Sequence, residues 1–210
     1  VFTDPDGIAM QVIFKNPLPK PAGVPSEAQA IAQAQAPSVQ RVFGAESIGN
    51  LVVDKASQVG RGATVELRQE IDAVPVYGAK VAQSLAADGS LVSASGALSQ
   101  QTQGKYPTGA TTPPATVADT AVRALAQETK QPRGKFAVFA TAAMWYDPKL
   151  AAKDGAPSVA VPAYKVAIKR AGTQGDQSAQ WVLFIDANNT GRVLDSWHET
   201  GSKPEGRPRR

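Results

Sequence analysis

Apolar and polar residues alternate along Thr64-Val-Glu-Leu-Arg-Gln-Glu-Ile71, where Val65, Leu67 and Ile71 stand between charged or polar neighbours. A period of two predicts a half-buried antiparallel strand. Asp72 and Ala73 read as a turn, and Val74 to Val81 return as the partner strand, with Pro75 expected at the strand's start or on an edge. Ile48 to Val53 precede as another strand. Val76 to Leu85 lead into Ala87-Asp-Gly-Ser-Leu-Val-Ser93, a hairpin turning at Asp88 and Gly89. Before this meander, Ser26-Glu-Ala-Gln-Ala-Ile-Ala-Gln-Ala-Gln-Ala36 is alanine-rich and predicts a helix capped by Ser26. Pro37 is expected to interrupt that helix, with a second turn through Val39, Val42 and Phe43 and a stop at Gly44.

The second half repeats the plan. Pro113-Pro-Ala-Thr116 opens a helix, with Thr116 and Asp119 at capping-box spacing. Val117, Ala121, Val122 and Leu125 form its apolar stripe, while Asp119, Arg123 and Gln127 face away. Gln131-Pro-Arg-Gly134 ends it. Strands are predicted at Phe136 to Tyr146, Val159 to Lys169, Ala179 to Ile185 and Gly191 to Trp197. The last two flank Asp186-Ala-Asn-Asn-Thr-Gly191, and Asp186, Asn189 and Gly191 supply the turn chemistry of a hairpin loop. Helix followed by antiparallel sheet thus occurs twice, and the class is α+β. The expected divisions are an extended N-terminal arm over 1–25, a first half over 26–98, a polar linker over 99–112, a second half over 113–198, and a basic tail over 199–210.

Composition narrows the function classes. At 210 residues and 42% hydrophobic content the chain is long enough to bury a core in each half. No apolar run approaches the length that spans a bilayer, so no membrane partner is expected. A start at Val1 without a signal-peptide pattern fits a processed chain. The absence of cysteine excludes disulfides, thiolate catalysis and thiolate-bound zinc. The net charge of +4 suggests nucleic acid until it is located. Lys203, Arg207, Arg209 and Arg210 against Glu205 place most of it in the tail, whereas a nucleic-acid binder spreads basic residues over a face of the fold. No nucleic-acid partner is expected.

His198 is the sole histidine. A Ser-His-Asp triad would have to use it, and the zincin-like start His198-Glu-Thr-Gly201 has no second histidine four residues on. The plain reading of His198 is a surface residue ending a strand. No phosphate-binding glycine loop occurs. Asp186, Asn188 and Asn189 offer calcium-type oxygens, but turn formation alone explains them. Glu66 and Glu70 share one strand face and read as solvated. Trp145, Tyr146, Tyr164, Trp181, Phe184 and Trp197 cluster in the second half, where packing is the default. No catalytic residues and no metal ligands are assigned.

Two stretches carry a resemblance. Leu67-Arg-Gln-Glu-Ile-Asp-Ala-Val-Pro-Val-Tyr-Gly-Ala-Lys-Val81, followed by Asp88-Gly-Ser-Leu-Val-Ser-Ala-Ser-Gly96, resembles the propeptide domain shared by fungalysin and thermolysin zymogens. Pro162-Ala-Tyr-Lys-Val-Ala-Ile168 with Phe184-Ile-Asp-Ala-Asn-Asn-Thr-Gly-Arg-Val-Leu194 is similar to the PepSY domain that follows it in thermolysin-like precursors. Here Asn188-Asn189 stand where one residue is usual, so the loop is expected to be one residue longer. The resemblance spans roughly 26–198. It implies two cystatin-like halves, each a helix packed on an antiparallel sheet. It also implies a non-catalytic prosegment of a secreted bacterial thermolysin-like, or else fungalysin-like, zinc metalloprotease, serving as intramolecular chaperone and inhibitor. The partner would be the cognate protease domain cleaved from the same precursor, and zinc and calcium would reside on that domain.

In such prosegments the C-terminal segment lies in the protease cleft, which here makes Trp197, His198, Glu199, Thr200, Arg207, Arg209 and Arg210 the candidate contacts. One departure stands out: the family's enzymes cut before large apolar residues, whereas this chain ends Arg207-Pro-Arg-Arg210. Two other readings are open on the residues: a free-standing PepSY-type inhibitor, and a ligand- or cell-wall-binding module. The second predicts exposed Trp145 and Trp181 lining a groove.

Overall fold

A computed structural model describes residues 1–107, 109, 113–151, 158–172 and 180–199. The chain divides into two compact units. Unit 1 holds Val1–Thr102 and Asp147–Ala160, and unit 2 holds Gln103–Tyr146 and Val161–Arg210. Each contains one α-helix and antiparallel strands, so the class is α+β.

The strands of unit 1 are β1 (Phe2–Thr3), β2 (Ala9–Leu18), β3 (Asn50–Val59), β4 (Gly62–Ile71), β5 (Val74–Leu85) and β6 (Leu91–Ala97). Antiparallel pairing sets the order β1-β2-β6-β5-β4-β3. Alternation along β4 is complete: Ala63, Val65, Leu67, Gln69 and Ile71 are buried while their neighbours are half-buried. The inward face meets helix α1 (Ala28–Val42), which buries Ile31, Ala32, Ala36 and Val39. Two consecutive left-handed residues, Asp72 (φ 53°) and Ala73 (φ 60°), close β4 onto β5. A two-residue loop needs that backbone to match the twist of its strands. Pro75 is the second residue of β5, next to the shift in register between Arg68 and Glu70, where a missing N–H costs little.

Several expectations are corrected here. Pro37 does not interrupt α1 but lies inside it. An interior proline costs about 3 kcal/mol of helix stability. Ile31 and Val39, buried on either side of it, each return roughly 1.5–3 kcal/mol, so packing outweighs propensity. Ser26 does not cap α1; Glu27 holds the cap position with no side-chain bond, and the Lys20 ammonium reaches toward the Ser26 hydroxyl instead. The end of α1 is as the sequence suggests. Gly44 (φ 70°) donates to Arg41 O and Ala45 N to Gln40 O, a Schellman closure. The stretch expected as an arm is extended, and β2 runs through it paired to β6. Within the expected linker, Ser99 is wholly buried and Tyr106 nearly so.

Glutamine amides finish this unit. Gln33 of α1 accepts from Val53 N (3.2 Å) and donates to Leu51 O (2.8 Å), occupying the outer edge of β3 as a strand would. Buried Gln69 donates to Ile48 O and Ser99 O and accepts from Ser99 N.

Unit 2 contains helix α2 (Ala115–Thr129) and strands β7 (Phe136–Tyr146), β8 (Val161–Arg170), β9 (Gln180–Asp186) and β10 (Val193–Glu199), antiparallel in that order. Val117, Ala121 and Leu125 of α2 pack on Phe136, Tyr164, Val166, Ile168, Leu183 and Ile185. Thr116 and Asp119 form no capping box, because the helix begins two residues earlier, with Pro114 rather than Thr116 at the cap. A proline there offers its carbonyl, which accepts from Val117 N at 3.0 Å. Among the described residues no helix is long and apolar enough to cross a membrane.

Two left-handed glycines separate strain from collision. A Cβ on Gly49 (φ 62°) would lie 2.0 Å from Glu70 O, whereas one on Gly60 (φ 59°) would meet nothing within 4 Å. Gly60→Ala should therefore cost about 1 kcal/mol, the ordinary left-handed penalty, and Gly49→Ala clearly more. Ala73→Gly, which removes that penalty from the β4–β5 turn, should stabilise by about 0.5–1 kcal/mol. Urea titration of the three variants, giving equal values for the two glycine replacements, would contradict this account.

Candidate functional site

The contacts expected from the sequence fall on β10 and beyond it. Trp197, His198 and Glu199 are its last residues, paired with Val182, Trp181 and Gln180 of β9. Thr200, Arg207, Arg209 and Arg210, with the rest of the basic tail, lie outside the described residues. Cross-strand pairing puts Trp197 on the side of the sheet opposite α2. There its ring stacks on Phe184 (centroids 5.5 Å), which in turn meets Tyr146 at 4.6 Å. Tyr146 donates its hydroxyl to Asp195 of β10, and Ser196 donates to Glu128 of α2. Trp197 is thus part of the packing that fixes β10. His198 is exposed, with its ring against Trp181 at 4.8 Å. Among the described residues β10 pairs with β9 alone, so it is an edge strand whose last residues lead into the tail.

The turn residues spend their oxygens on local backbone. Asp88 Oδ1 accepts from the Ser90 hydroxyl (2.6 Å) and from Ser90 N (2.9 Å), bonds that, the hydroxyl's first, hold its carboxyl below the usual range, while Gly89 takes φ 82°. Asp186 Oδ1 accepts from Asn188 N (2.8 Å) and Asn189 N (3.2 Å), and Asn189 Oδ1 from Gly191 N (3.2 Å). These bonds account for the Asp-Asn cluster without an ion. Among the described residues no three His, Asp or Glu side chains come together as a metal group.

The aromatic-groove reading is overturned at its own test. Trp145 is 1% exposed, packed edge-on against Tyr106 at 5.6 Å, and Trp181 is half-buried against Phe136. Tyr106 donates its hydroxyl to Ala163 O at 2.6 Å, and burial pushes its phenol far above the usual tyrosine range. Glu66 and Glu70 stay on the solvent side of β4, where Glu70 pairs with Arg68 at 2.8 Å. Arg68 and Lys80 both reach Asp54 at 2.9 Å, and these bonds, Lys80's first, hold its carboxyl below the usual range.

Unit 1 also contains two groupings that sequence reading missed. Asp147, wholly buried, accepts from the Ser99 hydroxyl (2.6 Å), the Ser158 hydroxyl (3.0 Å) and Lys149 N (2.9 Å). Lys149 bonds Asp4 at 2.8 Å and also Asp6, lowering the Asp4 carboxyl. A small apolar concavity lies beside it, lined by Ile8, Ala9, Met10, Leu98 and Leu150. The Asp147 carboxylate is engaged by Ser99, Ser158 and Lys149 N, and the Lys149 ammonium, which also lines the concavity, by Asp4 and Asp6. Polar residues 48 positions apart in sequence, such as Ser99 and Asp147, carry no local signal that they will meet.

No family model matches the chain. It is similar to a zinc metalloproteinase of Renibacterium salmoninarum, 27% identical over 194 residues, which cover 90% of this chain and 32% of that protein. The chain therefore spans about a third of the length of that relative. Among solved structures it is similar to the Bacillus megaterium YpeB C-terminal domain at 16% identity and a TM-score of 0.35, covering 91% of this chain and 72% of that one.

If Trp197 anchors β10 and His198 does not, Trp197→Ala should cost about 2–3 kcal/mol and His198→Ala less than about 0.5 kcal/mol. Chemical denaturation of the two variants checks this, and equal small losses would remove the anchoring role.

Proposed function

We propose that this chain is the non-catalytic prosegment of a secreted, thermolysin-like zinc metalloprotease, acting as its intramolecular chaperone and inhibitor. The observation that carries the reading is the extent of the similarity to the Renibacterium salmoninarum zinc metalloproteinase: nearly all of this chain, but a third of that protein. A His-Glu-x-x-His zinc site takes two histidines on one helix face, and this chain has a single histidine in all. The shared third is accordingly a part that zinc chemistry does not need. The motifs around Val74-Pro-Val-Tyr-Gly78 and Asp186 to Leu194 support a propeptide half followed by a PepSY half, both cystatin-like.

Two physical roles follow. A protease domain with a high folding barrier gains from a preformed surface that binds near-native states more tightly than unfolded ones. Inhibition comes from the segment beyond Trp197 lying extended in the substrate cleft, its backbone bonding a cleft edge and its side chains filling pockets. His198 and Glu199, the first residues of that segment, are the groups we propose to approach the enzyme's zinc.

The test is inhibition of a purified thermolysin-like protease by the full chain and by a version ending at Glu199, with cleavage followed by mass spectrometry. The full chain should inhibit at nanomolar concentration and raise the refolding yield of the protease domain. The shortened version should lose at least about tenfold in affinity, equivalent to 1.4 kcal/mol. Absence of both inhibition and refolding assistance with the full chain would remove the proposal.

A further inference from the structure

Within unit 2, β10 is anchored on both of its faces immediately before the residues assigned to the partner. Paired strand residues share a face. Ser196 stands opposite Leu183, which packs on α2, whereas Asp195 and Trp197 stand opposite Phe184 and Val182 on the other side of the sheet. On the α2 side the Ser196 hydroxyl donates to Glu128 Oε2 at 3.2 Å, in contact with solvent. On the far side the hydroxyl of Tyr146, a nearly fully buried residue, donates to Asp195 Oδ2 at 2.5 Å, and Trp197 stacks on Phe184. These anchors follow a bulge. Val193 and Asp195 oppose the consecutive residues Ile185 and Phe184, so Leu194 is the extra residue. A bulge bends the strand that carries it and adds twist. Three consecutive residues are thus tied down directly after the irregularity, and the next one, His198, is exposed.

We propose that Tyr146 is a positioning residue for inhibition: through Asp195 it fixes the direction in which β10 ends and presents His198 and Glu199 to the protease already ordered. The inference rests on the prosegment reading above. Ordering a segment on binding opposes association, and a segment held in its bound conformation beforehand avoids most of that cost. Tyr146 acts through β10 without touching the protease, and Ser196 with Glu128 adds a weaker, solvent-exposed anchor on the other face.

Tyr146→Phe keeps the ring beside Phe184 and removes only the hydroxyl. Val117→Ala, a deletion in the wholly buried α2 core away from β10, serves as the comparison for lost stability. Inhibition of a purified thermolysin-like protease and amide hydrogen exchange of β10 are measured on the full chain and on each folded variant. Tyr146→Phe should weaken inhibition about tenfold and speed exchange in β10, whereas Val117→Ala should stay within about twofold of the unaltered chain. Ser196→Ala should move both readings in the same direction by a smaller factor, and it carries the test should Tyr146→Phe fail to fold. If the full chain inhibits and these β10 variants match it within about twofold, or if Val117→Ala weakens inhibition as much as they do, the positioning role is overturned and the prosegment reading stands. If the full chain neither inhibits nor assists refolding, the prosegment reading falls and this inference with it.

Discussion

Backbone groups buried where no strand reaches them need partners, and in unit 1 glutamine side chains supply them. An unpaired buried group costs about 1–3 kcal/mol, a large share of a domain's net stability. Gln40 donates to Ala45 O and Gly49 O behind the end of α1, and Gln83, wholly buried on β5, donates to Ala32 O of the helix above it. Gln35 reaches Leu18 O and Pro19 O, and Gln100 reaches Phe43 O and Leu98 O. The amide carries a donor and an acceptor at the end of a flexible stem, so one side chain can serve two peptide groups.

That mode of support explains what the sequence did and did not disclose. Strands were legible where one face is buried, as in β4 and β5, because alternation is written residue by residue. The hairpin turns at Asp72, Asp88 and Asp186 were legible because their chemistry is local. Gln69 was not: it sits at an inward position of β4 and looks like a break in the pattern, since its partners at Ile48 and Ser99 are 21 and 30 residues away. Pro37 misled for the opposite reason, a strong local preference overruled by burial on both sides. Asp147 and Lys149 gave no signal at all, because their partners lie in stretches that read as linker and arm.

The same distinction applies to the region assigned to function. Trp197, a candidate contact for a partner, also packs on its own sheet, against Phe184. His198 beside it is exposed, one strand position away. A strand directs successive side chains to opposite faces, so adjacent residues at the end of β10 serve different ends. One secures the strand, and the other is presented at its surface.

Gln33 bears on how this chain behaves at high concentration. Edge strands template the pairing of further chains, and a long flat edge is an invitation to aggregate. By filling the positions at Leu51 and Val53 with a side-chain amide, with the register shifting between Val53 and Lys55 just beyond, the molecule closes the first part of the outer edge of β3 to a further strand. A single polar residue on a neighbouring helix thereby acts as a stop to sheet growth along that stretch of the edge.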